Sequence, residues 1–169
     1  MDVAQSVPSN LQVRPWSGEA ELARLLSDYL VATEREKGST IESPDDLPPQ
    51  YRVDPPRLVT TLGTSAAFVA WQGADAVGCV LVTAPESGGC EIKRLWVDPA
   101  CRGRGVAGAL VAAALAAARA MGAQRAMLTV LRWRTGAIRL YERWGFEAVP
   151  SWDDRDDLLC MERLLEPPA

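Results

Sequence analysis

Three glycines and two arginines crowd into residues 101–108, CRGRGVAG, directly ahead of an alanine-rich stretch that reads as an apolar helix over 106–121. Glycines let a backbone approach an anion closely, and the first free amides of a helix point at it. Read as a bare pattern, Gly103-x-Gly105-x-x-Gly108 meets the dinucleotide fingerprint, but that match carries weight only with the right strand before it and helix after it. A glycine-rich turn that caps a helix and binds nothing is the plainer alternative.

The chain has 169 residues, 48% of them hydrophobic, which is enough to bury the core of one compact domain over residues 1–169. Residues 1–10 read as a flexible leader. A formal net charge of −4 does not suggest a surface that neutralises a nucleic-acid backbone. The N-terminus lacks the basic start and apolar run of a secretion signal, and no apolar stretch has the length of a membrane span. No nucleic-acid or membrane partner is therefore expected, and the protein is expected to be soluble and cytoplasmic. Cys79, Cys90, Cys101 and Cys160 are widely spaced and there is no histidine, so no metal site is expected. Without histidine, acid–base work falls to carboxylate, tyrosine, cysteine, lysine or backbone groups.

Residues 11–15 suggest a first strand. A helix beginning near Ser17 carries Leu22, Leu25, Leu26, Tyr29 and Leu30 on one apolar face. Residues 37–62 turn to serine, proline and aspartate, too proline-dense for a long helix, with a short one suggested over 56–62. This segment reads either as a substrate-contacting lid or as a surface excursion. SAAFVAWQ, DAVGCVLVTA and CEIKRLWV follow as an antiparallel meander. Beyond the helix over 106–121 come a strand, RAMLTVL, a helix over 135–144, and short strands near FEAV and LLCMERLL. The order is mixed α/β.

A strand inside a covered sheet is usually almost wholly apolar, yet EIKRLWV carries Glu91, Lys93 and Arg94. Strict alternation places Glu91 and Lys93 on one face and Arg94 on the other. Either something polar borders this strand or it is a charged edge strand that resists aggregation. The dinucleotide reading weakens at the same place. DPACR separates Val97 from Gly103, and RAMLTVL ends without the acid that would hold a ribose.

EIKRLWVDPACRGRGVAGALV followed by TGAIRLYERWGFEAV resembles the GNAT superfamily of acyl-CoA-dependent N-acyltransferases. Arg102, Gly105 and Ala107 meet its Q/R-x-x-G-x-G/A signature; Tyr141, Gly145 and Phe146 meet a later Y-x-x-x-G-F. The resemblance implies an α/β fold of the α+β type. Its mixed, mostly antiparallel central sheet of about seven strands is flanked by helices and has a splayed central strand pair. It also implies acetyl-CoA as cosubstrate and no metal. Main-chain groups of Leu95, Trp96 and Val97 would meet the pantetheine arm. Arg102, Gly103, Arg104, Gly105, Val106, Ala107 and Gly108 would meet the pyrophosphate. Arg134 stands where many relatives carry asparagine and is the candidate cofactor contact in its place.

Acylation of an amine requires a base, because an alkylammonium ionises near ~10.4. The resemblance points to Glu91, eleven residues before Arg102, the offset of the basic glutamate in histone-acetylating relatives. A structural ion pair with Lys93 or Arg94 is the alternative. It points to Tyr141 as the acid for the departing thiolate, whereas periodicity alone makes Tyr141 a core residue beside Ala137, Leu140 and Trp144. The run DDRDD, residues 153–157, reads as a solvated turn or as an anionic rim. The expected acceptor is a primary amine of a small molecule or peptide, attacked directly, and a homodimer is allowed. A catalytically silent CoA-binding regulatory module and a dinucleotide-dependent oxidoreductase are the alternatives.

Overall fold

The computed structural model describes residues 8–51 and 63–167. Seven strands, β1 (Leu11–Pro15), β2 (Thr64–Gln72), β3 (Asp75–Thr83), β4 (Gly89–Val97), β5 (Arg125–Leu131), β6 (Glu147–Val149) and β7 (Leu158–Leu164), form one sheet. Their order is β1-β2-β3-β4-β5-β7-β6. Every neighbouring pair is antiparallel except β4 and β5. Among the described residues the helices are α1 (Glu21–Glu36), α2 (Val106–Ala120) and α3 (Thr135–Arg143), with short 3-10 turns at Pro44–Asp46, Pro49–Tyr51 and Pro99–Cys101.

The two faces of the sheet are covered by different helices. α2 buries Val106, Leu110, Val111, Ala114, Leu115 and Ala118, a stripe at helical spacing, against Val80 and Val82 of β3 and Ile92 and Val97 of β4. α1 buries Leu22, Leu25 and Leu26 on the opposite face, against Val69, Cys79, Leu81 and Trp96. It starts at Glu21 rather than near Ser17. The Glu19 carboxylate accepts hydrogen bonds from the Ser17 hydroxyl (2.6 Å) and amide (2.9 Å), and Gly18 lies at φ 111°, so this stretch is a turn that precedes the helix.

Residues 8–10 are tied to the sheet through Leu11 N–H to Pro8 O (3.0 Å) and Gly73 N–H to Asn10 O (3.3 Å). Part of the proline-rich segment is also packed, since Leu47 is buried with Leu30 and Val31 of α1. The short helix expected over 56–62 lies outside the described residues.

Strict alternation fails in β4. Cys79 pairs with Trp96 and Leu81 with Lys93, so the ladder shifts register there, and Arg94 adopts φ 57°. Cys90 and Ile92 before this bulge lie on the α2 face, as do Leu95 and Val97 after it, while Trp96 packs on the α1 face. Arg94 does not oppose Glu91 and Lys93, as simple alternation had it. Its guanidinium lies 5.4 Å from the ring of Tyr29 on α1, on the side lined by Glu91 and Lys93.

Candidate functional site

β4 and β5 run parallel and stay paired only at Gly89 with Arg125, Cys90 with Ala126 and Glu91 with Met127. Past these pairs the strands diverge, and a cleft of ≈ 260 Å³ opens between them. The residues 91–95 of β4, residues 129–131 of β5, α1 around Tyr29 and Thr33, and the first turns of α3 form its walls. Tyr51, from the proline-rich segment, and Asp157, from the acidic run, reach the same cleft. Of the candidate residues named from sequence, Glu91, Leu95, Arg134 and Tyr141 are brought together here.

Tyr141 is held by the end of α3. Gly145 at φ 81° lets the chain turn back, with Gly145 N–H bonding Glu142 O and Phe146 N–H bonding Tyr141 O, each at 3.0 Å. Phe146 is thereby buried edge-on against the Tyr141 ring, centroids 5.8 Å apart. The phenol is buried on the cleft lining, and its hydroxyl has no hydrogen-bond partner among the described residues. Burial pushes its pKa up, the nearby Tyr29 adds to the rise, and Arg134 opposes it. A phenol held neutral in this way can donate a proton to a group that enters the cleft.

The Glu91 carboxylate sits 3.6 Å from the Lys93 ammonium, both side chains about one-third exposed. Both readings of Glu91 therefore meet in one place, because the ion pair itself lies on the cleft wall. The Glu91 main chain is pinned by its N–H to Thr83 Oγ1 at 2.8 Å.

Arg134 bridges two helices. Its Nε donates to Glu36 Oε2 (2.7 Å) and its Nη2 to Thr33 Oγ1 (2.9 Å), and its guanidinium lies 5.8 Å from the Tyr29 ring. The neighbouring Trp133 donates its indole N–H to the same Glu36 carboxylate, and Arg132 Nε donates to Asp156 O. In the acidic run, Arg155 donates from Nε and Nη2 to the Asp153 carboxylate, at 2.9 and 2.8 Å. Those bonds hold Asp153 well below the usual carboxylate range. Part of the acidic run is thus internally neutralised.

The glycine loop lies beyond the cleft lining, after the end of β4. Gly103 (φ 75°) and Gly105 (φ 80°) take left-handed conformations, and Gly105 caps α2 with no side chain in attendance. The amide N–H groups of Gly103, Arg104, Gly105, Val106, Ala107 and Gly108 have no acceptor among the described residues. A row of unpaired donors at a helix N-terminus suits the oxygens of a pyrophosphate. Arg102 turns away from the loop: its Nε donates to Val97 O (3.0 Å) and its guanidinium lies 4.8 Å from the Trp96 ring. Trp96 is itself buried, with its indole N–H on Asp98 Oδ1 and its main chain paired to Cys79 of β3, so it is turned away from the opening, unlike Leu95 and Val97 beside it.

Two residues of this site escaped the sequence reading. Tyr29 was grouped with the leucines of α1, but it lines the cleft edge-on to Trp96, centroids 6.3 Å apart, and between two arginines. Its only local signal is a hydroxyl on an otherwise aliphatic face. Arg94 shows in the sequence as a charge, but alternation alone puts it on the face opposite the one the register shift gives it.

Known proteins share this fold. An uncharacterized N-acetyltransferase of Escherichia coli K12, YjgM, is 39% identical over 72 residues, a match that covers 43% of this chain and 43% of that protein. The matched region is thus less than half the length of that curated relative. A Klebsiella pneumoniae protein assigned as an acyl-CoA N-acyltransferase superposes with TM-score 0.69 at 25% identity, over 92% of this chain and 98% of that one. A Streptococcus agalactiae acetyltransferase superposes with TM-score 0.73 at 16% identity, over 93% and 99%. A GNAT family acetyltransferase of Elizabethkingia anophelis, solved with acetyl-CoA bound, superposes with TM-score 0.66 at 15% identity, over 93% and 99%. The model of the acetyltransferase (GNAT) family matches residues 28–146, well over half of the sequence, and the chain belongs to that family.

Proposed function

We propose that the whole chain is one transferase domain that moves an acetyl group from acetyl-CoA to a primary amine of a small molecule or peptide, by direct attack. The observation that carries this reading is the opening between β4 and β5, which sets Glu91 and Tyr141 on one cleft, together with the amides of residues 103–108, which have no acceptor among the described residues. When bound, acetyl-CoA supplies an activated acyl carbonyl and a thiolate leaving group. The six loop amides and Arg104 hold its phosphates, with the dipole of α2 behind them. Main-chain groups of Leu95 and Val97 flank its pantetheine arm, and Arg102 braces that stretch through Val97 O. Arg134, anchored to Glu36 and Thr33 of α1, presents its charge on the same cleft to the cofactor. Glu91 takes the proton of the acceptor ammonium, directly or through water, and Tyr141 gives one to the departing sulfur. β4 amides facing the carbonyl oxygen stabilise the charge that grows there.

The Glu91–Lys93 pair favours a second reading, a silent CoA-binding module whose carboxylate is only structural. The two separate in an assay of thiol release from acetyl-CoA over a panel of amines. A transferase releases thiol with at least one amine, and E91Q lowers that rate on the order of 100-fold, the usual worth of a general base. Acetyl-CoA binding with no thiol released over the whole panel would establish the silent module. The oxidoreductase alternative is left without an acid at the end of β5, and stabilisation by NAD but not by acetyl-CoA is the result that would revive it.

A further inference from the structure

Among the described residues, five cationic side chains line the cleft: Lys37, Lys93, Arg94, Arg134 and Arg155. Four of them have a carboxylate in ion-pair contact. Lys37 has Glu34 at 3.5 Å, Lys93 has Glu91 at 3.6 Å, Arg134 has Glu36 at 2.7 Å and Arg155 has Asp153 at 2.8 Å. Among the described residues Arg94 has none, and its guanidinium makes no hydrogen bond; it lies 5.4 Å from the Tyr29 ring. Asp157, also on the lining, lies beyond ion-pair reach of it.

Arg94 is also held in place by an unusual backbone. A non-glycine residue at φ 57° is uncommon, and here the bulge aims the side chain toward α1 and the cleft. A bulge beside a site re-aims one side chain, and an arginine so placed, its N–H donors without an acceptor among the described residues, matches a carboxylate in geometry and charge.

Building on the transferase reading above, we propose that Arg94 binds a carboxylate on the acceptor, so that the substrates are amines of the free amino acid class. The ammonium end then faces Glu91 and the carboxylate end faces Arg94.

The test compares L-amino acids with their primary amides and with dipeptides as acceptors, reading thiol release from acetyl-CoA. The expected result is a preference for the free amino acid over its amide of about 10-fold or more. R94A raises the acceptor KM about 10- to 100-fold, the worth of a charged hydrogen bond, and brings that preference close to unity. R94K restores part of it, as a point charge without the fork. Amides or dipeptides favoured over free amino acids, or a preference that survives R94A, would overturn the assignment while leaving the transferase intact. Should no acceptor release thiol, the transferase reading fails by itself. Calorimetric titration of the same amino acids onto the CoA-loaded protein then decides the carboxylate site: binding lost in R94A supports it, and no binding at millimolar concentration, or binding indifferent to R94A, removes it.

Discussion

Replacing Tyr141 by phenylalanine lowers turnover about 100-fold or more, because a positioned general acid contributes at least that much, while the acetyl-CoA KM changes little. The structure separates this effect from damage to the fold. The hydroxyl has no partner among the described residues, and the ring that packs against Phe146 is retained in Y141F. Stability should therefore stay within about 1 kcal/mol of the parent. The same substitution alters the response to alkali. Burial raises the Tyr141 pKa in the folded chain above its unfolded value of about 10. The unfolded phenol then ionises first, so stability present below about pH 10 drains away as pH climbs toward the folded value. Y141F removes that portion of the alkaline loss, and the buried Cys79 thiol, also shifted upward by desolvation, keeps its own. Melting curves between neutral pH and pH 11 measure the difference. A Y141F enzyme with unchanged turnover would leave Tyr141 as packing alone.

Gly78→Ala has the largest expected effect on stability. Gly78 lies in β3 opposite Val97, and a Cβ there would stand 2.7 Å from the Trp96 carbonyl oxygen, 3.0 Å from Leu110 Cδ1 and 3.4 Å from Val106 Cγ1. The first of these is backbone and cannot swing aside. The strands must part or α2 must lift, and overpacking of this kind costs about 1–3 kcal/mol. In a chain of this size each 1 kcal/mol lowers the melting midpoint about 2–4 °C. The strain falls on both ends of the glycine loop, since Trp96 and Val97 lead into it and Val106 begins α2 out of it. G78A should consequently weaken acetyl-CoA binding as well, measured by calorimetry. An alanine variant with the parent's melting point and affinity would show that this contact is loose.

Much of the architecture was legible locally. The meander β2, β3 and β4, the boundaries of β5, and the helical stripes of α2 and α3 follow from periodicity and turn residues, which act over a few positions of chain. The motif Tyr141, Gly145, Phe146 was equally visible, and its physical sense is a left-handed glycine that folds Phe146 back on Tyr141. Gly78 gave no such signal, because its need for a missing side chain comes from Trp96 and Leu110, 18 and 32 positions away.

The sequence by itself determined the order of the elements, the apolar faces of the helices, and the glycine loop ahead of α2, because each depends on residues near one another along the chain. Only the tertiary structure decided that β4 and β5 part after Glu91, that a bulge turns Arg94 toward α1, and that Tyr29, packed at the edge of the core, also lines the cleft. These depend on where a strand stops pairing with a partner more than thirty residues away. That choice is made by packing on both faces of the sheet, and no local pattern records it.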